Sequence, residues 1–141
     1  MTPPAHAPAS KADAWPRLTG ATAALVYLSE TEAPFHAVQA ALPTAAFEAH
    51  DARHLAGRGG EERVEEQSLA DFFSDFVRSE DWHGPDEAQA VERYRALHRL
   101  FCDWLGAPKV FRIGEVRVTI LIVGRTSDGH WIGARTEAVE T

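Results

Sequence analysis

Apolar and polar residues alternate along the last third of the chain with the two-residue period of β-strands. The alternation predicts strands over Val110–Ile113, over about 116–123 and over about 131–139. Gly114-Glu115 and the TSDGH loop at 126–130 would join these strands as hairpins. The later part of the second strand is apolar on both faces, which predicts that it is covered on both sides. The pattern therefore predicts a C-terminal antiparallel β-meander.

A period of three and four residues marks the segment between Pro85 and Gly106 as a helix. Proline suits the first turn of a helix, where its missing N–H costs nothing, and glycine often follows the last turn. The apolar positions form one broad face, which we expect to be buried. They are Val91, Tyr94, Leu97, His98, Phe101, Cys102, Trp104 and Leu105. Cys102 is therefore predicted to be packed in the core, where a thiol is usually unreactive.

The N-terminal part of the chain carries weaker signals. Residues 1–11 are rich in Pro and Ala and have nothing to bury, so they are predicted to be a mobile tail. The remaining residues, 12–141, are predicted to form a single α/β domain. Pro16 fits the first turn of a short helix that ends near Ala23. The apolar run Leu25–Leu28 predicts a strand after that helix.

Residues 34–63 show neither period clearly. Residues 45–55 could form a helix, closed by the glycine that follows two positions later. Beyond this region, Ser68 followed by Asp71 resembles a capping box in which Asp takes the place of the usual Glu. This box predicts a short helix that ends near Arg78.

Length and composition are those of one ordinary globular domain, with 141 residues of which 45% are hydrophobic. Acidic residues outnumber Lys and Arg by 21 to 14, which gives a formal net charge of −7. Because nucleic-acid binding depends on clustered Lys and Arg, direct binding of DNA or RNA is not expected. A basic protein partner is electrostatically favourable.

Cysteine usage and apolar runs limit the class of protein further. The single cysteine, Cys102, leaves no internal disulfide and no zinc site built from several thiolates. The first residues, MTPPAHAPAS, do not resemble a signal peptide, and no apolar run is long enough to span a membrane. The sequence therefore predicts a cytoplasmic protein without a membrane partner.

Glu48, His50, Asp51 and His54 are the best candidates for metal ligands, since His50 and His54 would share one helical face. The alternative is an Ala-rich helix with exposed polar residues, and the absence of the HExxH order favours it. No serine lies in a GxSxG motif, and the GRGG run at 57–60 lacks the Lys-Ser/Thr of a phosphate loop. No catalytic or cofactor site therefore follows from the residues themselves.

The stretch LSETEAPF, residues 28–35, places Glu30 and Glu32 directly after an apolar strand. A solvated turn explains such a pair, and so does a charged loop presented to a partner. A carboxylate pair for acid–base chemistry would need further groups that the spacing does not identify. Trp82 lies in the acidic stretch SEDWHGPDE, where it could fold back over the core or take part in a protein interface.

Separate motifs follow one another along the chain: LSETEAPF, SLADFFS, the pair Asp81-Trp82 before a long helix, and PKVFRIGEVRVTILIVGRTSDGHWIGARTEAVET. Their order resembles the nuclease A inhibitor family over roughly residues 25–35 and 67–141. The resemblance implies an α+β fold, built as a three-layer α-β-α sandwich of the plant pathogenesis-related type. It also implies a protein without catalysis or a cofactor of its own.

The partner implied by the resemblance is a sugar-nonspecific, Mg²⁺-dependent nuclease, whose active site the inhibitor blocks to protect the cell that makes it. In such inhibitors a Glu of a Ser-Glu-x-Glu turn, a Trp after an acidic residue and the C-terminal Thr enter or border that site. Matched by position, these are Glu30, Trp82 and Thr141, with Glu80 and Asp81 beside the Trp. Glu80 departs from the pattern, which has a neutral amide there. The oxygens of Glu30 and Thr141 would approach the partner's Mg²⁺, while the chain holds no metal itself.

Two other functions are compatible with the residues. A small metal-dependent hydrolase would use His50 and His54. A related scaffold would instead bind some other protein through the same acidic edge.

Overall fold

The chain folds around an antiparallel sheet of five strands, with helices packed on it. The computed structural model describes residues 8–23, 25–41, 43–74 and 85–140. In these residues the helices are α1 (Lys11–Thr22), α2 (Ala49–Leu55), α3 (Leu69–Ser74) and α4 (Pro85–Asp103). The strands are β1 (Val26–Leu28), β2 (Glu32–Pro34), β3 (His36–Gln39), β4 (Val64–Gln67), β5 (Gly106–Ile113), β6 (Arg117–Arg125) and β7 (Trp131–Val139).

The five-stranded sheet has the order β3-β7-β6-β5-β4, and every neighbouring pair in it is antiparallel. The predicted C-terminal meander is confirmed as β5, β6 and β7, including both predicted hairpin loops. Strands β1 and β2 pair only with each other. The predicted α+β class is therefore confirmed, while the likeness to the plant pathogenesis-related sandwich stays a prediction.

Alternate side chains of the meander enter two separate cores, because successive residues of a strand point to opposite faces. On one face, Ile120 and Ile122 pack in a cluster with buried residues of α1, α3 and α4. On the other face, Leu121 and Val123 pack with Trp131 and with buried residues in and around α2. The prediction that the later part of this strand is covered on both sides is confirmed.

The first helix begins earlier than predicted. The Ser10 side chain accepts a hydrogen bond from the Asp13 N–H at 3.2 Å, which caps the helix and satisfies one of its free N–H groups. Helix α1 therefore starts at Lys11, and Pro16 lies inside it rather than in its first turn. The predicted helix and its end near Ala23 are confirmed, but its predicted start was wrong because that prediction relied on the proline and overlooked the serine cap.

Backbone hydrogen bonds tie the end of the predicted tail to the fold. The Ala9 N–H donates to the Trp104 carbonyl at 2.8 Å, and the Ala9 carbonyl accepts from the Ser127 N–H at 2.9 Å. Residues 8–11 therefore take part in the fold, in contrast to the predicted tail over 1–11. The rest of that tail, residues 1–7, lies outside the described residues. The division into tail and single domain stays a prediction.

Helix α4 confirms the long helix predicted after Pro85, but its buried face differs from the predicted one, and His98 and Trp104 are only half-buried. Cys102 is exposed, so its predicted burial was wrong. The buried face is turned toward α1, where Leu100 is buried beside Phe101 instead. Within the described residues, none of the helices has both the length and the apolar character that crossing a membrane requires.

The two short helices lie where the sequence predicted them. Helix α2 occupies the end of the 45–55 segment and is followed by Gly57 at a φ of 69°, which favours glycine. The Ser68 side chain accepts from the Asp71 N–H at 3.0 Å, so the predicted cap of α3 is confirmed. The predicted end of that helix near Arg78 lies outside the described residues.

Candidate functional site

The acidic stretch identified in the sequence forms the turn between β1 and β2, in which Leu28 pairs with Glu32. Ser29 organises this turn, because its N–H donates to the Thr31 carbonyl at 2.9 Å. Its hydroxyl also lies 3.4 Å from the Thr31 N–H, which donates to it. Glu30 lies at the tip, and both glutamates are exposed. We call residues 29–31 the acidic turn.

The acidic turn is bonded to the end of β7. The Val139 N–H donates to the Ser29 hydroxyl at 3.0 Å, and the Glu30 N–H donates to the Val139 carbonyl at 3.4 Å. These two bonds use both backbone groups of Val139, which has no further strand partner on that side in the sheet. The tip of the turn and the end of β7 therefore belong to one surface.

The strand that leaves the turn is also fixed against β7. The Thr136 hydroxyl is buried and donates to the Pro34 carbonyl at 3.0 Å, with the Ala33 carbonyl at 3.4 Å. The Phe35 N–H donates to the Leu25 carbonyl at 2.9 Å, which closes the base of the β1–β2 hairpin. A two-stranded hairpin is marginally stable alone, so these contacts to β7 are needed to hold the turn in place.

Replacing Thr136 with Val is expected to destabilise the protein by about 1–2 kcal/mol, because the carbonyls of Ala33 and Pro34 lose their donor while the side-chain volume hardly changes. Urea denaturation of the purified variant measures this loss. Thr136→Ser is the matched control, since it keeps the hydroxyl, and we expect it to keep more of the stability. Equal stability of Thr136→Val and the wild type would contradict a holding role for this hydroxyl.

The residue after β7 is held by the opposite side of the sheet. The Glu140 N–H donates to the Val116 carbonyl at 2.9 Å. The Glu140 carboxylate forms an ion pair with the Arg112 guanidinium, whose side chain is only 19% exposed. Partial burial alone would lower the pKa of Arg112, but hydrogen bonds to Glu140 and to Tyr27 outweigh it, so the pKa is raised. Arg112 therefore stays charged and keeps both partners.

Strand β1 is joined to α4 below the turn. The Tyr94 hydroxyl donates to the Val26 carbonyl. Burial raises the pKa of Tyr94 well above its usual value, so this hydroxyl stays protonated and able to donate. The rings of Tyr27 and Phe72 stack with their centroids 6.1 Å apart, which fixes the same strand against α3. The turn thus extends from a rigid support.

Exposed apolar side chains lie in the strand before the acidic turn and beside the residue that follows β7. In the part of the chain that the structure describes, the large hydrophobic residues with exposed side chains are Val26 at 39%, Leu28 at 64% and Val116 at 53%. Val26 and Leu28 lie in β1, the strand that leads into the turn. Val116 is the residue whose carbonyl accepts the Glu140 N–H. Exposed apolar groups that cluster beside charged ones are typical of protein interaction sites.

A shallow groove connects this apolar edge to α4. It is lined by Leu28, Glu32 and residues of the first half of that helix, including Gln89, Ala90 and Arg93. The surface around the turn therefore combines carboxylates, apolar side chains and a recess, which are features of surfaces that bind protein partners.

Of the predicted partner-binding residues, Glu30 lies in the described part of the chain, on the exposed tip. Glu80, Asp81, Trp82 and Thr141 lie outside the described residues. Whether these side chains share one surface with Glu30 therefore stays a prediction.

The residues that support Glu30 could not be identified from the sequence. Ser29 and Val139 are 110 positions apart, and Arg112 and Glu140 are 28 apart. No spacing rule relates such distant pairs. The only signal available in the sequence was Ser29, the serine of the Ser-Glu-x-Glu motif. Its hydroxyl accepts the hydrogen bond from the Val139 N–H.

The alternative metal site is not supported. Glu48, His50, Asp51 and His54 lie in the described residues, and nowhere in those residues do three or more His, Cys, Asp or Glu side chains form a group that could hold a metal ion. The His50 ring lies 3.8 Å from the Glu48 carboxylate and 3.4 Å from the Asp51 carboxylate, and the His50 and Glu48 side chains are exposed. Asp51 also accepts the Glu48 N–H at the start of α2. These carboxylates cap and stabilise a short helix.

Comparison with known proteins supports the family resemblance. Residues 12–141 match the family model described as nuclease A inhibitor-like protein. The match covers the acidic turn, the helices α2 to α4 and the whole sheet. A search of curated proteins finds no match to the chain.

Proposed function

The chain belongs to the nuclease A inhibitor-like family, and on that premise we propose that it is a protein inhibitor of a sugar-nonspecific, Mg²⁺-dependent nuclease. The inhibitor binds the nuclease directly and blocks its active site with the surface around the acidic turn. It has no catalytic activity of its own and does not bind nucleic acid. An inhibitor that protects the cell making it would act in the cytoplasm.

The observation that carries this proposal is that hydrogen bonds from Val139 to Ser29 and from Glu30 to Val139 hold the acidic turn against the end of β7. A nuclease that cuts any nucleic acid must present a basic groove with a metal ion to the phosphate backbone. Mg²⁺ prefers hard oxygen ligands, which the Glu30 carboxylate and the oxygens of Thr141 supply. A preorganised turn loses little entropy on binding, which favours such a partner.

Trp82 and Thr141 are each only a few residues away in sequence from residues near this surface, which supports a role for them in the interface. Thr141 directly follows Glu140, which is anchored beside the turn. Trp82 precedes Pro85 by three residues, so their Cα atoms are at most roughly 11 Å apart. The helix that starts at Pro85 borders the groove beside the turn. We propose that Trp82 is the aromatic anchor of the interface, flanked by Glu80 and Asp81.

The exposed apolar residues complete the interface. A protein interface typically surrounds a few dominant residues with contacts that exclude water. The exposed side chains of Leu28, Val26 and Val116 would make such contacts, because water exclusion strengthens the attraction between Glu30 and a basic groove. The net charge of −7 adds long-range attraction and faster association.

We expect Leu28→Ser to weaken inhibition about tenfold, because it removes apolar area that the partner would cover. The inhibition constant against a sugar-nonspecific nuclease measures the change. Leu28→Met is the matched control, since it keeps a similar apolar area, and it should stay within about twofold of the wild type. Equal inhibition constants for the Ser and Met variants would remove Leu28 from the interface.

The function itself is tested by titrating a sugar-nonspecific, Mg²⁺-dependent nuclease with the purified protein and following the cleavage of both DNA and RNA. We expect inhibition of both activities to be complete at one inhibitor per nuclease. Binding without inhibition would favour a scaffold that recognises another site or another protein through its acidic edge. No binding to any such nuclease would contradict the proposal.

A further inference from the structure

Arg112 contacts both chain segments that hold the acidic turn. On one side its guanidinium pairs with Glu140, the residue after the Val139 that bonds to the turn. On the other side it lies beside Tyr27 in β1, two residues before Ser29, and this neighbour helps to raise the pKa of Arg112. Arg112 lies near the end of β5, which β6 separates from β7 in the sheet. One cation thus joins the entry of the turn to the strand end that supports its tip.

The geometry of these contacts favours a rigid connection. The side chain of Arg112 is 19% exposed and that of Glu140 is 43% exposed, so solvent screens their pairing less than it screens a surface pair. A guanidinium presents several N–H donors in one plane, which lets a single side chain bind two partners in fixed directions. Tyr27 is itself buried and stacked on Phe72, so one end of the connection cannot move far.

The charge of Arg112 makes a direct role in the partner contact unfavourable. A basic groove would repel a cation, whereas a cation whose charge is balanced by Glu140 adds little repulsion. Arg112 is also less exposed than the apolar residues around the turn. Its contribution to binding must therefore pass through the residues that it holds.

We propose that Arg112 is a positioning residue for Glu30: it ties Tyr27 to Glu140 and so fixes the acidic turn in the orientation that inhibition requires. This inference rests on the proposed function, because the orientation matters only if the turn enters a partner's active site. The chain of contacts runs from Arg112 through Glu140 and Val139 to the backbone of Glu30.

A double-mutant cycle tests the proposal with the full chain and a sugar-nonspecific nuclease as the probe. In the wild-type background we expect Arg112→Met to raise the inhibition constant about tenfold. In the Glu30→Ala background the same change should raise it by less than about twofold, because there is no carboxylate left to position. Arg112→Lys, which keeps the charge, should recover part of the loss. A purely structural role would cost the same factor in both backgrounds.

Arg125→Met is the matched control, since it removes the same charge from an exposed arginine at the far end of β6. Hydrogen exchange supplies a readout that does not need the nuclease. In Arg112→Met the amides of Glu30 and Val139 should exchange faster, whereas the Ala40 amide, bonded to the Trp131 carbonyl at the other end of β7, should not change.

The possible outcomes separate the two proposals. Equal factors for Arg112→Met in both backgrounds, or unchanged exchange at Glu30 and Val139, would overturn the positioning role while the inhibitory function stands. Absence of inhibition by the wild-type protein would overturn the proposed function, and with it the role of Arg112 in inhibition. Faster exchange in that case would still show that Arg112 holds the turn.

Discussion

Glu30→Ala is expected to weaken inhibition of the nuclease at least about a hundredfold, the size of loss typical of a dominant interface residue. The variant removes the carboxylate at the tip of the acidic turn but leaves the backbone bond from the Glu30 N–H to Val139 intact. The loss therefore reports the missing oxygens rather than a rearranged turn. Steady-state inhibition constants at fixed Mg²⁺ and ionic strength measure it, because salt screens the charge contribution.

Two further variants show which property of Glu30 matters. Glu30→Gln keeps the size of the side chain and loses its charge, so it should be nearly as weak as Glu30→Ala if the carboxylate faces a cation. Glu32→Ala removes the same charge from an exposed position in the same hairpin, and we expect a loss of no more than about threefold from long-range attraction. If Glu32→Ala were as damaging as Glu30→Ala, net charge rather than a specific contact would explain inhibition.

Trp131→Ala is expected to cost about 3–5 kcal/mol of stability, which is a large part of the total for a domain of this size. The indole is 2% exposed, lies 5.4 Å from the Phe47 ring, and donates its Nε1–H to the Thr44 carbonyl at 3.0 Å. It is the largest side chain in the core on the α2 face of the sheet. Urea denaturation at 25 °C measures the loss.

The stability loss should leave inhibition unchanged. Trp131 begins β7 and Val139 ends it eight positions later, which is roughly 27 Å along the strand. At concentrations of folded protein matched by circular dichroism, we expect an inhibition constant within about twofold of the wild type. Trp131→Phe keeps an aromatic ring and loses the bond to Thr44, and should cost only about 1–2 kcal/mol. A large loss of inhibition in folded Trp131→Ala would show that the two ends of β7 are coupled.

The elements that the sequence predicted best are those with a local signal. The meander β5, β6 and β7 shows a two-residue period that its sheet environment enforces. Helix α4 shows a clear apolar stripe, and Ser68 caps α3 as its spacing suggested. Errors arose where two local signals competed, as when Pro16 was given more weight than Ser10 at the start of α1.

The candidate site could be predicted only in part. Glu30 was identified through a motif that matches a known family. Neither its charge nor its spacing distinguishes it from a glutamate in an ordinary solvated turn. The support of Glu30 depends on contacts between segments that are distant in sequence, such as Ser29 with Val139. Arg112 lies in a strand whose alternation predicts its face but not its partners. Such pairings follow from the packing of β1 and β2 on β7, which no local pattern encodes.

The central claim is that the acidic turn and the end of β7 together face the metal ion of a nuclease. Paramagnetic broadening tests it most directly, with Mn²⁺ in place of Mg²⁺ in the nuclease and isotope-labelled inhibitor observed by NMR. We predict that the amide signals of Glu30 and Val139 broaden strongly, while those of α2, including His50 and His54, stay sharp. Broadening centred on α2, or none at all in a formed complex, would contradict the account.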